Sequence, residues 1–365
     1  MDADIPILEN VPLAPRTTLE VGGPARFYAE PRTPEAVREA LAWAHERRIA
    51  VMVLGGGSNL LVADRGIAAL VLRVHIRGVD VYTLDGATVV MAGAGEPWDA
   101  LVARAVEHGW AGIECLSGIP GDVGATPIQN VGAYGQEVSD TLLSVRAIDR
   151  RTGDDVELTA AECQFAYRDS VFKHALKDRY LITHVAFRLQ PGAPPAIRYA
   201  ELSRALGATP TPTLAATRST VLALRRSKSM VHDLADENHR SAGSFFTNPI
   251  VPEALLRQAR ESAEAILHPG EKMPEWPAGP GLTKLSAGWL IERSGLTKGT
   301  TDGPVGLSTR HALAIVNRGG ATASQIVAFA TSIKRRVHDR FGITLVPEPV
   351  LAGFEPHEVS ELLAP

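Results

Sequence analysis

The chain has 365 residues, 45% of them hydrophobic and 21% charged, which predicts a globular protein of two or three domains. Its formal net charge of −4 disfavours nucleic acid as the main partner, because binding to a phosphate backbone usually requires a basic face. Two cysteines, Cys115 and Cys163, without a CxxC pair disfavour a disulfide scaffold and a structural zinc site.

The N-terminal residues MDADIPILEN lack the basic and apolar regions of a signal peptide. No apolar run approaches the roughly 18 residues that a membrane-spanning helix requires. We therefore expect a cytoplasmic protein that does not contact a membrane.

The first third of the chain alternates strand and helix signals. Thr33 predicts an N-cap and Pro34 the first residue of a helix, while Asp85-Gly86 predicts a hairpin turn. The predicted elements are strands at 25–30 and 50–54, a hairpin at 78–93, and helices from 34 and from 97 to about 108.

The remainder returns to strands and then becomes mainly helical. Thr322-x-x-Gln325 predicts a capping box that begins the longest helix. Segment 191–212 reads as a linker or an ordered flap, and 268–281 as a surface loop with Trp276 near a ligand. The order of elements predicts an α+β fold, with strands at 142–149, 155–159, 180–189 and 343–351 and helices at 215–229, 252–264, 285–294 and from 322.

Two glycine-rich segments suggest a ligand with phosphate groups. LGGGSNLLV (54–62) follows a buried strand, and its glycines leave backbone N–H groups unshielded, so that the loop can approach a pyrophosphate closely. It is neither a Walker A loop nor a GxGxxG fingerprint.

The second glycine-rich segment, 116–135, is unusually long for a loop, and such loops tend to be functional. Its Gln129 and Asn130 can hydrogen-bond a heteroaromatic ring, and Tyr134 can pack against one. The alternative is two ordinary surface turns.

Eight segments in order along the chain resemble the UDP-N-acetylenolpyruvoylglucosamine reductase (MurB) family, in the subgroup with a tyrosine-bearing substrate flap. Their combination is far more specific than any single glycine motif. The segments are TTLEVGG (17–23), LGGGSNLLV (54–62), SGIPGDVGATPIQNVGAYGQEV (117–138), FAYRDSVFK (165–173), RYAEL (198–202), SAGSFFTNP (241–249), KLSAGWLIE (284–292) and LVPEPVLAG (345–353).

The resemblance implies a particular domain organisation and cofactor. It implies an FAD-binding domain of the vanillyl-alcohol-oxidase/PCMH type in two subdomains, 1–79 and 80–214, and an α+β substrate-binding domain, 215–341. The final strand, within 342–365, is expected to pack back onto the first subdomain. FAD is expected to bind non-covalently through residues of the two glycine-rich loops: Gly55, Gly56, Gly57, Ser58, Asn59, Leu60, Ile119, Pro120, Gly121, Gly124, Ala125, Gln129, Asn130, Gly132, Ala133 and Tyr134.

The resemblance also assigns three catalytic residues for NADPH-dependent reduction of an enolpyruvyl group. Arg168 is expected to hold the substrate carboxylate and stabilise the charge of an enolate. Ser244 is expected to donate the proton. Glu348 is expected to lie near the enolate, either as a neutral carboxyl or by organising the site. By residue type alone, Arg168 beside Asp169 is a surface ion pair, Ser244 a turn residue and Glu348 an exposed strand-end residue.

Substrate recognition is expected from residues suited to a UDP-sugar. Tyr199 belongs to the predicted flap over the diphosphate. Lys228, Asn248 and Lys284 are further candidates, although a lone lysine is often a solvated surface residue. At Thr247 many relatives are expected to carry lysine, which leaves one phosphate contact in doubt.

Three classes of function follow. The first is the FAD-containing, NADPH-dependent reductase of the UDP-linked enolpyruvyl sugar in peptidoglycan synthesis, in which NADPH and substrate use one site in turn. The alternatives are an FAD-dependent oxidase of the same superfamily and a non-catalytic UDP-sugar-binding flavoprotein.

We expect a monomer with no nucleic-acid partner. We also expect no metal, because His232 and His239 with their acidic neighbours lack a recognised ligand pattern and are interpreted as a polar loop.

Overall fold

The computed structural model describes residues 5–207, 211–267 and 270–364. The chain divides into two compact units. The first contains residues 1–11, 25–57 and 68–232, and the second contains 12–24, 58–67 and 233–365. Each unit has its own large hydrophobic core.

The strands and helices of the described residues are numbered in chain order. The strands are β1 (Leu8–Pro12), β2 (Pro24–Ala29), β3 (Val51–Leu54), β4 (Leu60–Val62), β5 (Ile67–Arg73), β6 (Val79–Leu84), β7 (Ala87–Gly93), β8 (Trp110–Ala111), β9 (Gly132–Ala133), β10 (Gln136–Glu137), β11 (Leu142–Asp149), β12 (Asp155–Thr159), β13 (Tyr180–Pro191), β14 (Ile250–Pro252), β15 (Glu275–Pro277), β16 (Leu282–Leu285), β17 (Thr301–Asp302), β18 (Val305–Leu307), β19 (Ile315–Asn317) and β20 (Val350–Ala352). The helices are α1 (Pro34–Glu46), α2 (Trp98–Glu107), α3 (Ala200–Leu206), α4 (Leu214–Ser227), α5 (Glu253–Glu264), α6 (Ala287–Arg293), α7 (Ala323–Phe341) and α8 (Pro356–Leu363).

The first unit is built on two sheets. One has the strand order β1-β2-β5-β3, with β3 and β5 parallel. The other has the order β12-β11-β13-β7-β6, with β8 beside β13, and its mapped pairings are antiparallel. Asp85 and Gly86 both have positive φ, as the predicted hairpin turn between β6 and β7 requires. Helices α1 to α4 belong to this unit.

The second unit centres on α7. The Thr322 hydroxyl accepts a hydrogen bond from the Gln325 N–H, and the Gln325 side chain accepts one from the Thr322 N–H, so the predicted capping box is present. The residues predicted to form one face are fully buried: Ile326, Ala330, Ile333 and Val337. Two three-stranded sheets, β14-β16-β15 and β17-β18-β19, and the parallel pair β4 and β20 complete the unit.

The structure corrects two sequence predictions and adds a helix that the sequence analysis did not predict. The strand expected at 343–351 is reduced to β20, since Pro347 and Pro349 cannot donate ladder hydrogen bonds. Helix α8, which follows it, was not predicted. The expected loop 268–281 contains β15, while 268–269 lie outside the described residues. In segment 191–212, α3 supports the ordered-flap interpretation, with 208–210 outside the described residues. No helix in the described ranges is both long and apolar enough to cross a membrane.

Candidate active site

The two glycine-rich loops meet in the first unit. The first follows β3, which ends at the buried Leu54. A Cβ atom added at Gly56 would lie 2.7 Å from the Gly121 Cα atom, a separation that real Cβ contacts do not show. Only glycine therefore allows the two backbones to approach this closely at position 56. The unshielded peptide groups of such a loop suit the pyrophosphate of FAD, so the residue types present fit the expected cofactor.

The other predicted cofactor residues occupy varied positions. Gly124 packs so closely on Ala94 that an added Cβ would lie 2.5 Å from the Ala94 Cβ. Gly132 and Ala133 form β9, which pairs with β10. Ile119, Pro120 and Gln129 are half-buried, and Ala125 is exposed. In the second unit, Ser58 and Asn59 are half-buried and Leu60 is buried.

Asn130 shapes the second loop. Its side-chain amide donates hydrogen bonds to the Glu137 carboxylate at 2.8 Å and the Ala166 carbonyl at 3.0 Å. Its side-chain oxygen accepts the Ser139 N–H at 3.0 Å, and the residue is only 1% exposed. These protein partners engage both N–H groups of the amide that was expected to reach a heteroaromatic ring.

Arg168 is directed at the second glycine-rich loop. Its Nη2 donates a 2.6 Å hydrogen bond to the Gly132 carbonyl, and its backbone has a φ of 55°. Its neighbour Asp169 pairs with His174, the nearest nitrogen–oxygen distance being 2.8 Å. Asp169 thus pairs with His174, while the Arg168 guanidinium contacts the loop that carries Gly132.

Ser244 and Glu348 lie on neighbouring segments of the second unit. The Glu348 N–H donates a 2.9 Å hydrogen bond to the carbonyl of Phe245, the residue after Ser244. The Asn59 side chain donates to the Glu348 carbonyl at 3.3 Å, and the Val350 N–H donates to the Asn59 carbonyl at 3.0 Å. The structure thus brings together three predicted residues that are far apart in sequence.

Buried aromatic side chains fix the Ser244 segment. Phe245 and Phe246 are each 1% exposed, and their rings pack edge to face at 5.3 Å between centroids. Phe246 forms an isolated β-bridge with Pro347, next to Glu348. Ser244 and Glu348 are themselves half-buried. This placement differs from the exposed strand-end position that the sequence around Glu348 suggests by itself.

Predicted cofactor and substrate residues form one aromatic and charged cluster in the first unit. The rings of Tyr134 and Tyr199 meet edge to face at 5.6 Å between centroids. The Lys228 Nζ atom lies 6.0 Å from the Tyr134 ring centroid and 2.7 Å from a Glu201 carboxylate oxygen. Burial raises the pKa of Tyr134 to about 12, so its phenol stays neutral and remains a hydrogen-bond donor.

Arg225 is a member of this region that the sequence prediction missed. Burial lowers its pKa to about 10, and Tyr134 and Arg168 are among the groups whose charges act on it. With Thr217 and Val221 it forms the buried stripe of α4 at fourfold spacing. The sequence signal for Arg225 was its position: a charged residue at the same helical spacing as Thr217 and Val221.

Asn248 and Lys284 lie near the start of α6. The Asn248 side-chain oxygen accepts a 3.0 Å hydrogen bond from the Ala287 N–H, the first residue of that helix. Lys284 lies on β16, in register with Ile250 on one side and Trp276 on the other. Trp276 is 40% exposed.

Comparisons with known proteins bear on this arrangement. Residues 25–159 match the family model described as an FAD binding domain. Residues 235–352 match the C-terminal domain of UDP-N-acetylenolpyruvoylglucosamine reductase. The reductase of Streptomyces avermitilis is 48% identical over 352 residues, covering 95% of each chain. The chain belongs to the UDP-N-acetylenolpyruvoylglucosamine reductase family.

Other members of the UDP-N-acetylenolpyruvoylglucosamine reductase family show the same full-length similarity. The Mycobacterium tuberculosis reductase is 46% identical over 359 residues, again covering 95% of each chain. The crystal structure of the Thermus caldophilus reductase matches with a TM-score of 0.64 at 27% identity, covering 95% of this chain and 99% of that one. The predicted family and the α+β fold with an FAD-binding domain are confirmed, and the chain is an FAD-containing oxidoreductase of this family.

The histidine-containing loop before Ser244 forms internal polar contacts. Among residues 5–207, 211–267 and 270–364, no group of three or more histidine, cysteine, aspartate and glutamate side chains is arranged to hold an ion. His239 instead places its Nδ1 atom 2.6 Å from the Asp236 carbonyl, and its other ring nitrogen 3.6 Å from a Glu20 carboxylate oxygen.

The contact between the glycine loops gives a stability prediction. We expect Gly56→Ala to lower the free energy of unfolding by about 1–3 kcal/mol, the usual cost of overpacking, because the added methyl collides with the Gly121 backbone. The affinity of this variant for FAD should also fall, because the added methyl forces the two glycine-rich loops apart. Urea unfolding of the apoprotein and fluorescence titration with FAD measure the two effects.

Gly55→Ala is the matched control for this substitution. Its added methyl would meet the Ala125 Cβ atom at 3.5 Å, an ordinary contact. Its apoprotein should therefore unfold at close to the wild-type urea concentration. Equal stability of the two variants would show that the backbone contact at Gly56 does not constrain the loops.

Proposed function

We propose that Arg168, Ser244 and Glu348 carry out the reaction of this UDP-N-acetylenolpyruvoylglucosamine reductase. The enzyme reduces UDP-N-acetylglucosamine enolpyruvate to UDP-N-acetylmuramate with NADPH, in peptidoglycan precursor synthesis. The main structural support is the hydrogen bond from the Glu348 N–H to the carbonyl of Phe245, which joins the segments that carry Ser244 and Glu348. An oxidase or a pure sugar-binding protein has no use for a proton donor matched to an enolate.

The two glycine-rich loops are proposed to hold FAD without a covalent bond. Gly55–Gly57 and Gly121 would receive the pyrophosphate on unshielded backbone, since their close packing leaves no side chain there. Tyr134 would pack against the cofactor with a neutral phenol. When bound, FAD accepts hydride from NADPH and passes it to the substrate.

Arg168 is proposed to hold the carboxylate of the enolpyruvyl group. Its Nη2 donates a hydrogen bond to the Gly132 carbonyl, which fixes the guanidinium beside the second glycine-rich loop, where it is proposed to receive the carboxylate. As hydride reaches the terminal vinyl carbon, negative charge spreads onto the substrate carboxylate. A fixed guanidinium stabilises that charge without reorganisation.

Ser244 is proposed to donate a proton to the carbon next to the carboxylate and to recover it from solvent. A serine hydroxyl is a weak acid, so its surroundings must favour the transfer. Glu348 is proposed to assist, either as a neutral carboxyl or by orienting the donor. Its backbone hydrogen bonds to the Phe245 and Asn59 segments hold it in place for that role.

The UDP portion is proposed to contact Tyr199, Lys228, Asn248 and Lys284. Two of these lie in the tyrosine cluster of the first unit, and the other two lie next to the first turn of α6. Thr247 would contribute at most a hydroxyl where many relatives are expected to use lysine. NADPH is proposed to use the same site before the substrate binds.

Residues 1–79 and 80–214 are proposed to form the FAD-binding subdomains, and 215–341 the substrate-binding domain. Within this scheme the pairing of β20 with β4 links the C-terminal segment to residues of the first subdomain. α4 lies inside the compact first unit, although it follows the proposed boundary at 214. The enzyme is proposed to act as a monomer in the cytoplasm.

A stepwise anaerobic titration of the flavin absorbance tests the proposed function. We expect NADPH to bleach the bound flavin and the UDP-linked enolpyruvyl sugar to restore its colour. Bleaching without restoration would retain the reductase but reject the substrate. A purified protein that takes up no FAD would reject the assignment altogether.

A further inference from the structure

An ion pair engages a residue proposed to bind the substrate diphosphate. The Lys228 Nζ atom donates a 2.7 Å hydrogen bond to the Glu201 carboxylate, and each side chain is about one-third exposed. Glu201 lies in the first turn of α3, and Lys228 is the C-cap of α4. The pair therefore joins the start of α3, next to Tyr199, to the end of α4 in the first unit.

The surroundings show that the pair lies within the tyrosine cluster. Lys228 faces the Tyr134 ring, and the charge of Glu201 helps to raise the pKa of Tyr199, although burial is the larger cause. Arg204 acts on Tyr199 in the opposite direction. Glu201 thus pairs directly with the ammonium that the proposed function assigns to the diphosphate.

We propose that Glu201 competes with the diphosphate of the substrate for Lys228. This inference rests on the proposed function, because it assumes that Lys228 receives a phosphate oxygen. A diphosphate that approaches Lys228 also approaches the Glu201 carboxylate, and like charges at such distances repel. Ligand binding therefore requires the carboxylate to withdraw from Lys228, so the ion pair weakens diphosphate binding.

Competition and positioning by Glu201 predict opposite changes in ligand binding. If Glu201 only holds Lys228 in position, then removing its charge weakens ligand binding. If Glu201 competes, then removing its charge strengthens binding. Glu201→Gln keeps the size and the hydrogen-bonding capacity of the side chain and removes only its charge.

The experiment measures the Kd for UDP by calorimetry on the FAD-loaded enzyme. We expect E201Q to bind UDP about threefold more tightly than wild type, the size expected for a partly exposed ion pair. The gain should shrink as salt is raised, because screening weakens the repulsion. In the K228Q background, the same substitution should change the Kd much less, since the contested ammonium is gone.

Glu157→Gln is the matched control. Glu157 pairs with Arg146 at 3.5 Å on the β11–β12 ladder. Its substitution also removes one negative charge from an ion pair of the first unit, but not from the pair with Lys228. It should leave the Kd for UDP unchanged. An equal gain in E157Q would reduce the effect to net charge and overturn the proposal.

Two outcomes separate this inference from the proposed function. UDP binding that is unchanged or weaker in E201Q overturns the competition, even if the wild-type enzyme turns over the enolpyruvyl sugar normally. If the wild-type enzyme does not turn over the enolpyruvyl sugar, the proposed function is rejected. The competition still stands if E201Q binds UDP more tightly and this gain depends on Lys228. Wild-type protein that binds no UDP overturns the inference.

Discussion

Ser244→Ala is expected to leave the reduction of bound FAD by NADPH near its wild-type rate while slowing oxidation by the enolpyruvyl sugar about 10²–10⁴-fold, the usual contribution of a general acid. The two half-reactions differ because only the second requires a proton at the substrate carbon. Anaerobic stopped-flow measurements of flavin absorbance report each half-reaction separately.

Ser241→Ala is the control for the Ser244 substitution. Ser241 lies three residues earlier and is buried, with its hydroxyl accepting a 3.4 Å hydrogen bond from the Gly243 N–H. It should change neither half-reaction by more than a few-fold. If Ser244→Ala slowed both half-reactions equally, a folding defect would explain the loss better than a missing proton donor.

Arg168→Lys is expected to lower kcat/KM for the enolpyruvyl sugar by about 10²-fold, although the positive charge is kept. Lysine lacks the planar fork with which Arg168 bonds the Gly132 carbonyl and is proposed to pair with a carboxylate in a fixed geometry. Reduction of FAD by NADPH should fall much less, since the nicotinamide has no corresponding carboxylate. Steady-state kinetics and single-turnover flavin reduction measure the two quantities.

Arg146→Lys provides the comparison for this substitution. Arg146 lies on β11 and forms a half-exposed ion pair with Glu157, so its replacement should leave kcat/KM unchanged. An Arg168→Lys enzyme with normal kcat/KM would assign the substrate carboxylate to another cation. Arg225, whose buried guanidinium senses the charge of Arg168, would then be the next residue to substitute.

Local sequence signals correctly predicted where two helices begin, because an N-cap residue bonds a backbone N–H only a few positions away. The Thr33 hydroxyl accepts the Ala36 N–H at 3.1 Å, as its position before Pro34 predicted. The same holds for the capping box at Thr322, because both partners lie within one helical turn. Such patterns need no knowledge of the rest of the chain.

Contacts between distant segments were not accessible from local patterns. The sequence around Glu348 gives no indication that its N–H binds the Phe245 carbonyl, or that Glu201 pairs with Lys228. Helix α8 was not predicted, although Glu355 and Glu358 form its capping box and Pro356 is its first residue. For the site residues, family resemblance supplied the candidates, and the fold shows which of them are neighbours.

The parallel pairing of β4 with β20 has a consequence for biosynthesis. Asn59 and Glu348 are 289 positions apart, so at about 5–20 residues per second the ribosome delivers the second strand on the order of 15–60 s after the first. During that interval Leu60–Val62 has an unpaired edge that invites association with other nascent chains. A chain released before residue 348 retains every segment of the first unit but lacks Glu348, so activity should appear only after translation is nearly complete.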